Sequence, residues 1–392
     1  MPGYLKYVLA LVCCFILGNL YYSQPIIADI ARDVGISMSS SGVIVTITQI
    51  GYCLGVLFLV PLGDALESRR LIRCLVAVSC VALVSASLAS SQIVFLVSMF
   101  CVGLFSCSVQ IIIPMSVGMA DEKDRGQVVG LIISGALLGI VLSRPASSFI
   151  TGMFGWRATY VFAAVLMVIV LLCLHYVPRK IPQAQGIRYP QMLLSMARLL
   201  TSVHGVKRRL GTMSLVFTTF TLFWATVPIA LQDLLGFSHS QVALYSLLGL
   251  AAPPCAIMAG KMIDRGKGFA LTVFSIAMVV CAFVVTPVFG MFVASFIVAG
   301  LLLDPGVQMA NVVIQQSVIG LAPQARSRIN ALCIAATFIG GAFGSWLGPW
   351  IYSHYGWPVT VMVAALIVLV AFAFNLSLKN TSTEAGALGQ QN

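Results

Sequence analysis

Charge is what this sequence most lacks. Asp, Glu, Lys and Arg make up 8% of its 392 residues and hydrophobic residues 60%, whereas soluble domains carry roughly 25% charged residues. So few charges cannot cover a water-facing surface, which excludes an ordinary soluble domain. Acidic residues are the scarcer sign, 11 against 22 basic, for a formal charge of +11. Catalytic motifs are missing too: there is no HExxH, P-loop or GxSxG, and the four histidines (175, 204, 239 and 354) fall at span edges or in loops. Neither an enzyme nor an ATP-driven machine is expected. Eleven cysteines form no CxxC, and all lie in or at the edges of apolar runs. Disulfides, metal sites and cofactors are therefore not expected.

Long apolar runs are present instead. A helix needs about 18 residues or more to cross a hydrocarbon core. Runs of that kind lie near 6–28, 42–62, 72–90, 93–118, 128–151, 157–177, 211–232, 241–262, 269–287, 289–318, 329–352 and 358–378. The expected fold is an all-α integral membrane protein with twelve transmembrane helices. With both termini in the cytoplasm, 19 of the 22 basic residues fall on that side; Arg32 and Arg157 lie opposite and Arg144 within a span. This is the positive-inside bias. It accounts for the basic balance through lipid headgroups rather than nucleic acid. The first run begins almost at Met1 without a small-residue cleavage pattern, and reads as a retained helix.

The chain also repeats itself. At an offset of 201, Gly155-Trp156 recurs as Gly356-Trp357, Thr159 as Thr360, Arg125 as Arg326, Gly139 as Gly340 and Gly35 as Gly236. One residue of slippage brings Asp64 onto Asp264. Two copies of six helices imply pseudo-symmetric bundles with a site where they meet. The expected organisation is a first bundle over 1–178, a cytoplasmic linker over 179–209 holding an amphipathic helix, a second bundle over 210–378, and a disordered tail over 379–392.

Between the eighth and ninth spans stands Gly260-Lys-Met-Ile-Asp264-Arg265-Gly266-Lys-Gly268. It resembles the G-x-x-x-D-R-x-G signature of the major facilitator superfamily, and the glycine-rich fifth span resembles the bacterial drug/proton antiporter-like branch. The first half has Asp64, Arg69 and Arg70 at the matching place, but Val60, Ala65 and Glu67 depart from the signature. An acid at a helix end can pair with nearby basic groups. Asp64, Arg69, Arg70, Gly260, Asp264 and Arg265, with Arg326 and Arg328 before the eleventh span, are candidates for a conformational latch or for plain topology-setting charge. In the fifth span, Arg144-Pro145 stands where that branch has a Gly-Pro pair.

Two ionisable residues lie deep in spans. Asp304 is near the middle of the tenth and Arg144 in the fifth. A charge at mid-bilayer costs about 2.5–3.5 kcal/mol even on lenient scales, so neither should face lipid. Gln308, Asn311 and Gln315 share a helix face with Asp304. Asn19, Tyr22 and Gln24 precede Pro25, Gln110 precedes Pro114, and Thr221 and Trp224 precede Pro228. The resemblance implies that spans 1, 4, 7 and 10 surround the substrate. Asn19, Tyr22, Gln24, Gln110, Thr221, Trp224, Gln308 and Asn311 are thus candidate cavity residues. Asp304, with Arg144, is either the proton-coupling site or a structural ion pair.

The expected function is secondary active transport by alternating access. The resemblance implies efflux of a small organic or drug-like compound against protons, in a bacterial inner membrane and as a monomer. Proton-coupled import of a metabolite such as a sugar or organic acid stays open.

Overall fold

The computed structural model describes residues 3–177, 189–203 and 205–388. Every regular element among them is helical. Lipid demands this, because a helix satisfies its own backbone donors and acceptors. Ten helices reach the length and hydropathy of a span, where the apolar runs suggest twelve. Two features explain the difference in count. The last helix runs through Gly356, where a non-helical residue of positive φ joins two helices into one element. The first apolar helix stops after 16 residues.

The elements in the first half are α1 (Gly3–Gly18), α2 (Ile27–Val34), α3 (Val43–Leu54), α4 (Ser68–Ser87), α5 (Gln92–Ser106), α6 (Val109–Met119), α7 (Arg125–Phe154) and α8 (Trp156–Cys173). A short α9 (Tyr189–Ser202) follows. The second half has α10 (Val206–Leu235), α11 (His239–Ser246), α12 (Ala252–Asp264), α13 (Gly268–Phe289), α14 (Val293–Leu321) and α15 (Arg326–Leu388). Helical backbone thus continues ten residues into the tail read above as disordered; 389–392 and the linker residues 178–188 lie outside the described residues. Within α9, Met192 and Met196 are buried, and Met196 packs with Val206, Leu210, Ile314 and Val318.

Prolines interrupt the helices in specific places. Pro25 has no N–H to give, and between α1 and α2 the chain passes through a 3-10 turn, Gln24–Ile26. Pro253 and Pro254 likewise cannot donate to the carbonyls of Gly249 and Leu250. Residues Leu247–Ala251 accordingly tighten into a 3-10 segment between α11 and α12.

The internal repeat extends to backbone geometry. Gly35 and Gly236 both take left-handed backbone (φ 80° and 65°) and close α2 and α10. Gly155 and Gly356 both have positive φ (81° and 74°) ahead of their tryptophans, a conformation open to glycine at little cost. Packing repeats as well. A Cβ at Gly139 would run into the Cys14 carbonyl on α1, and a Cβ at Gly340 into the Ser214 carbonyl on α10. Without a hydrophobic drive in lipid, such close backbone approach holds helices together.

The halves meet along two seams. On the first, Thr46 donates to the Ala342 carbonyl at 3.0 Å and Gly42 lies against Ser345. On the second, Ser148 donates to the His239 carbonyl at 2.8 Å, and His239 lies 3.6 Å from Asp29. These contacts cluster at the end of the bundle away from α9. Towards the α9 end the contact thins: α7 lies closely against α11 but only lightly against α12. The helices are clasped at one end and splayed at the other. Around the outside Val81, Phe149, Leu172, Phe274, Met362 and Leu366 are exposed, the apolar face that lipid covers.

At the clasped end, Trp156 Nε1 donates to Asp33 Oδ2 at 2.9 Å, and Arg157 pairs with the same carboxylate. The hydrogen bond from Arg157, then that from Trp156, holds the Asp33 carboxyl below the usual carboxylate range. The second half replaces this by a neutral contact, Trp357 Nε1 to Thr286 Oγ1 at 2.9 Å.

Two outcomes are expected. Gly139→Val should lower stability by about 1–3 kcal/mol through overpacking, read as a lower melting temperature in detergent, while Gly130→Ala should leave it unchanged. A depressed folded-state pKa stabilises above the unfolded value of about 3.9 and stops doing so as pH falls through the folded value. The melting-temperature gap between wild type and Asp33→Asn should therefore close as the medium is taken below that range.

Candidate functional site

Three helices and the turn after α1 bring polar side chains to one dry point. α14 supplies Asp304 and α7 supplies Arg144; their relative exposures are 3% and 1%. Arg144 Nη1 lies 3.7 Å from Asp304 Oδ2, a charge contact longer than a hydrogen bond. Each partner is instead held by a neighbour. Trp224 of α10 donates its indole N–H to Asp304 Oδ1 at 2.7 Å, and Arg144 Nε donates to Gln24 Oε1 at 2.9 Å. The pair is thus tethered from both sides but not locked together. It also bridges the halves, with Gln24 and Arg144 from the first and Trp224 and Asp304 from the second.

Aromatic rings enclose the guanidinium. Its carbon lies 4.1 Å from the Trp224 ring, 5.1 Å from Phe220 and 5.5 Å from Tyr21. Cation–π attraction strengthens when, as here, water is excluded. Gly249, in the 3-10 segment, forms the remaining wall: a Cβ there would come within 3.0 Å of Asp304 Oδ2 and 3.5 Å of Arg144 Nη1. Three polar members of the cluster share a local signature, since Gln24, Arg144 and Asp304 each directly precede a proline. The proline removes a backbone donor one residue on and leaves a carbonyl one turn back without its helical partner.

Of the other cavity candidates, Gln308 and Asn311 continue from Asp304 towards the splayed end, half-buried, with Asn311 Oδ1 lacking a partner. Gln315 donates to Asn330 Oδ1 at 2.7 Å and ties α14 to α15. Gln110 donates to the Tyr52 hydroxyl at 2.9 Å. Asn19 turns towards α8, its Nδ2 3.3 Å from Met167 Sδ. Tyr22 packs beside Gly18 and Ser143, and Thr221 bonds back to the Phe217 carbonyl at 3.1 Å, facing Gly344. The structure does not bring Asn19, Tyr22 and Thr221 to the ion pair. Tyr21, Phe220 and Gly249, which do reach it, carry little sequence signal. The one legible clue is that Phe220 lies one turn from Trp224 on the same face.

The latch candidates are dispersed. Arg69 is buried and donates to the His175 carbonyl at 2.6 Å, bracing the end of α8. Arg70, Asp264, Arg265 and Arg326 are exposed, Arg328 is half-buried and Gly260 stands open. The Asp64 side chain lies outside the described residues. Among the described residues no ion pair joins Asp264 or Arg265 to another group. Gly266 (φ 74°) makes the turn that ends the motif.

A lipid-facing helical bundle, built from two related halves that meet on a dry ion pair, is the architecture of a membrane transporter. The sequence profile of the Major Facilitator Superfamily matches residues 9–303 and 210–390, and the chain belongs to that family. It is 33% identical over 358 residues to the uncharacterized transporter YgaY of Escherichia coli O157:H7, covering 90% of each chain. The fold is similar to the D-xylose-proton symporter (TM-score 0.74, 15% identity, 94% of this chain and 96% of that one). It is likewise similar to the nucleoside transporter NupG (TM-score 0.76, 14% identity, 95% and 99%). The protein is a multi-pass membrane transporter.

Removing one member of a buried ion pair strands the other. Arg144→Gln and Asp304→Asn should each destabilise the protein by about 3–5 kcal/mol. The double variant should recover much of that loss, as measured by thermal unfolding in one detergent.

Proposed function

We propose that the protein is a proton-coupled secondary transporter of a small organic compound, working by alternating access with Asp304 as the proton site. The observation that carries this reading is the bridge itself. Asp304 and Arg144 come from opposite halves, lie out of water, and are held 3.7 Å apart without a shared hydrogen bond. Protonating Asp304 cancels the attraction between the halves at that point, so proton binding and helix movement are linked. The bundle is clasped at the end away from α9, which presents the pair to the splayed end through Gln308 and Asn311. Dispersed latch residues fit the same state, since a latch closes only when the splayed ends meet.

The resemblance to the drug/proton antiporter branch supports export by antiport. The distribution of Lys and Arg supports a bacterial inner membrane with both termini cytoplasmic, which makes the splayed end the inner one. A monomer suffices, because both halves of the site come from one chain. The substrate, protons and lipid are the partners in this reading.

A second reading, import by symport, is favoured by one specific feature. Asp304 already faces a cation of the chain, so its protonation frees Arg144 instead of vacating a place for a cationic substrate.

Everted membrane vesicles separate the two. Substrate added to vesicles with an acid interior should accumulate and discharge the pH gradient if the protein exports by antiport. Under symport, a solute gradient should carry protons in the same direction as the solute. In either case Asp304→Asn should abolish coupled flux while leaving folded protein in the membrane; coupled flux that survives the substitution overturns the assignment of Asp304.

A further inference from the structure

Charge balance at the buried pair discriminates between substrate classes. As the site stands, Asp304 and Arg144 sum to zero. Arginine does not give up its proton in proteins. A cationic substrate exchanging with a proton on Asp304 would therefore leave the dry site with one uncompensated positive charge in both halves of the cycle. An anion that arrives with a proton leaves it neutral throughout. Uncompensated charge is what such a site tolerates least.

Unused donors point the same way. Arg144 Nη2 and Gln24 Nε2 are both buried without an acceptor, on side chains already joined by the Arg144 Nε to Gln24 Oε1 bond. Two buried donors on side chains bonded to each other suit a group with two acceptor oxygens. The walls around them are the flat faces of Tyr21, Phe220 and Trp224. Gly249, lacking a Cβ, lets the backbone of the 3-10 segment pack close against Asp304 Oδ2 and Arg144 Nη1.

We infer that this cluster is a binding site for a small organic monoanion, best an aromatic carboxylate, which takes the place of Asp304 on Arg144. One proton from solvent joins Asp304 as one carboxylate binds the guanidinium, so no net charge enters the site. The inference rests on the proton-coupled reading above and selects its symport form. The titratable groups facing Asp304 are Arg144 from α7, Tyr245 from α11 and, across the guanidinium, Tyr21. Tyr245 is committed to the Phe296 carbonyl at 2.8 Å, which leaves Asp304 to take the proton.

The test uses the full chain in nanodiscs, titrated with benzoate, benzamide and benzylammonium between pH 5.5 and 7.5, about one unit per step, with binding read by tryptophan fluorescence and calorimetry. Benzoate should bind at least about tenfold more tightly than the other two. Its Kd should rise by about tenfold per pH unit wherever one proton is taken up with it. Asp304→Asn should remove that pH dependence and hold benzoate at least as tightly as wild type does at the lowest pH. Arg144→Gln should abolish binding. Should that variant fail to fold, Gly249→Val, which adds bulk but no charge, should weaken benzoate at least about tenfold by crowding Asp304 and Arg144 directly. Absence of benzoate binding to both wild type and Asp304→Asn overturns the inference, as does benzoate binding that Arg144→Gln or Gly249→Val leaves unchanged. Benzylammonium bound in competition with protons at Asp304 also overturns it, yet leaves the proton-coupled reading standing. Proton-coupled flux retained in Asp304→Asn vesicles fails that reading instead.

Discussion

Two opposite charges buried in a lipid-embedded bundle have to find each other, and most of this structure can be understood from that requirement. Asp304 and Arg144 each carry a charge that hydrocarbon will not accept, and neither has water to turn to. Their meeting obliges α7 and α14 to converge. It also fixes the indole of Trp224 and the amide of Gln24 as tethers on either side. Because one charge comes from each half of the chain, the contact joins the halves electrostatically at the very place where they must also be able to separate. A hydrogen-bonded, bidentate Arg–Asp pair would be a rivet. At 3.7 Å, with each partner held elsewhere, it is better suited to a switch.

Small residues make the convergence possible. Glycines on α7 and α15 let α1 and α10 approach until backbone meets backbone, as at Gly139 with Cys14 and Gly340 with Ser214. These contacts are within halves and repeat between them, so each half behaves as a packed unit. The seams between halves are less extensive: one comparable backbone approach, Gly42 on Ser345, joins polar contacts such as Thr46 with Ala342 and Ser148 with His239. Tight packing within and lighter contact between is what two bodies rocking against each other need. Broken helices serve the same end. The turns at Gln24–Ile26 and Leu247–Ala251 put irregular backbone beside the ion pair, with Gln24 and Gly249 buried there.

The signature motif illustrates how far sequence carries and where it stops. Gly260 to Gly268 is legible as a family mark, and Gly266 does form its turn. Asp264 and Arg265 nevertheless stand exposed, and neither makes an ion pair among the described residues. Arg69 reads as a latch charge, and the structure shows it donating to the His175 carbonyl at the end of α8. Asn19, Tyr22 and Thr221 read as cavity residues from their helix and polarity, yet they are occupied inside their own halves. A polar residue in an apolar run must face something other than lipid; which neighbour it faces depends on the helix rotation, which composition does not set.

What the sequence alone determined is local or additive. Scarce charge and long apolar runs place the chain in a membrane, since hydropathy sums residue by residue. The offset of 201 announces two related halves, and its glycines carry their backbone conformation with them, because a missing Cβ acts on its own residue. Gln24, Arg144 and Asp304, each a polar residue before a proline, could be picked out as exceptional in the same way. Tertiary structure alone decided that those three meet, that Tyr21, Phe220 and Trp224 wall them in, and that Gly249 packs close against them. Those outcomes depend on which helix faces dock, and docking is set by the mutual shape of surfaces far apart in the chain.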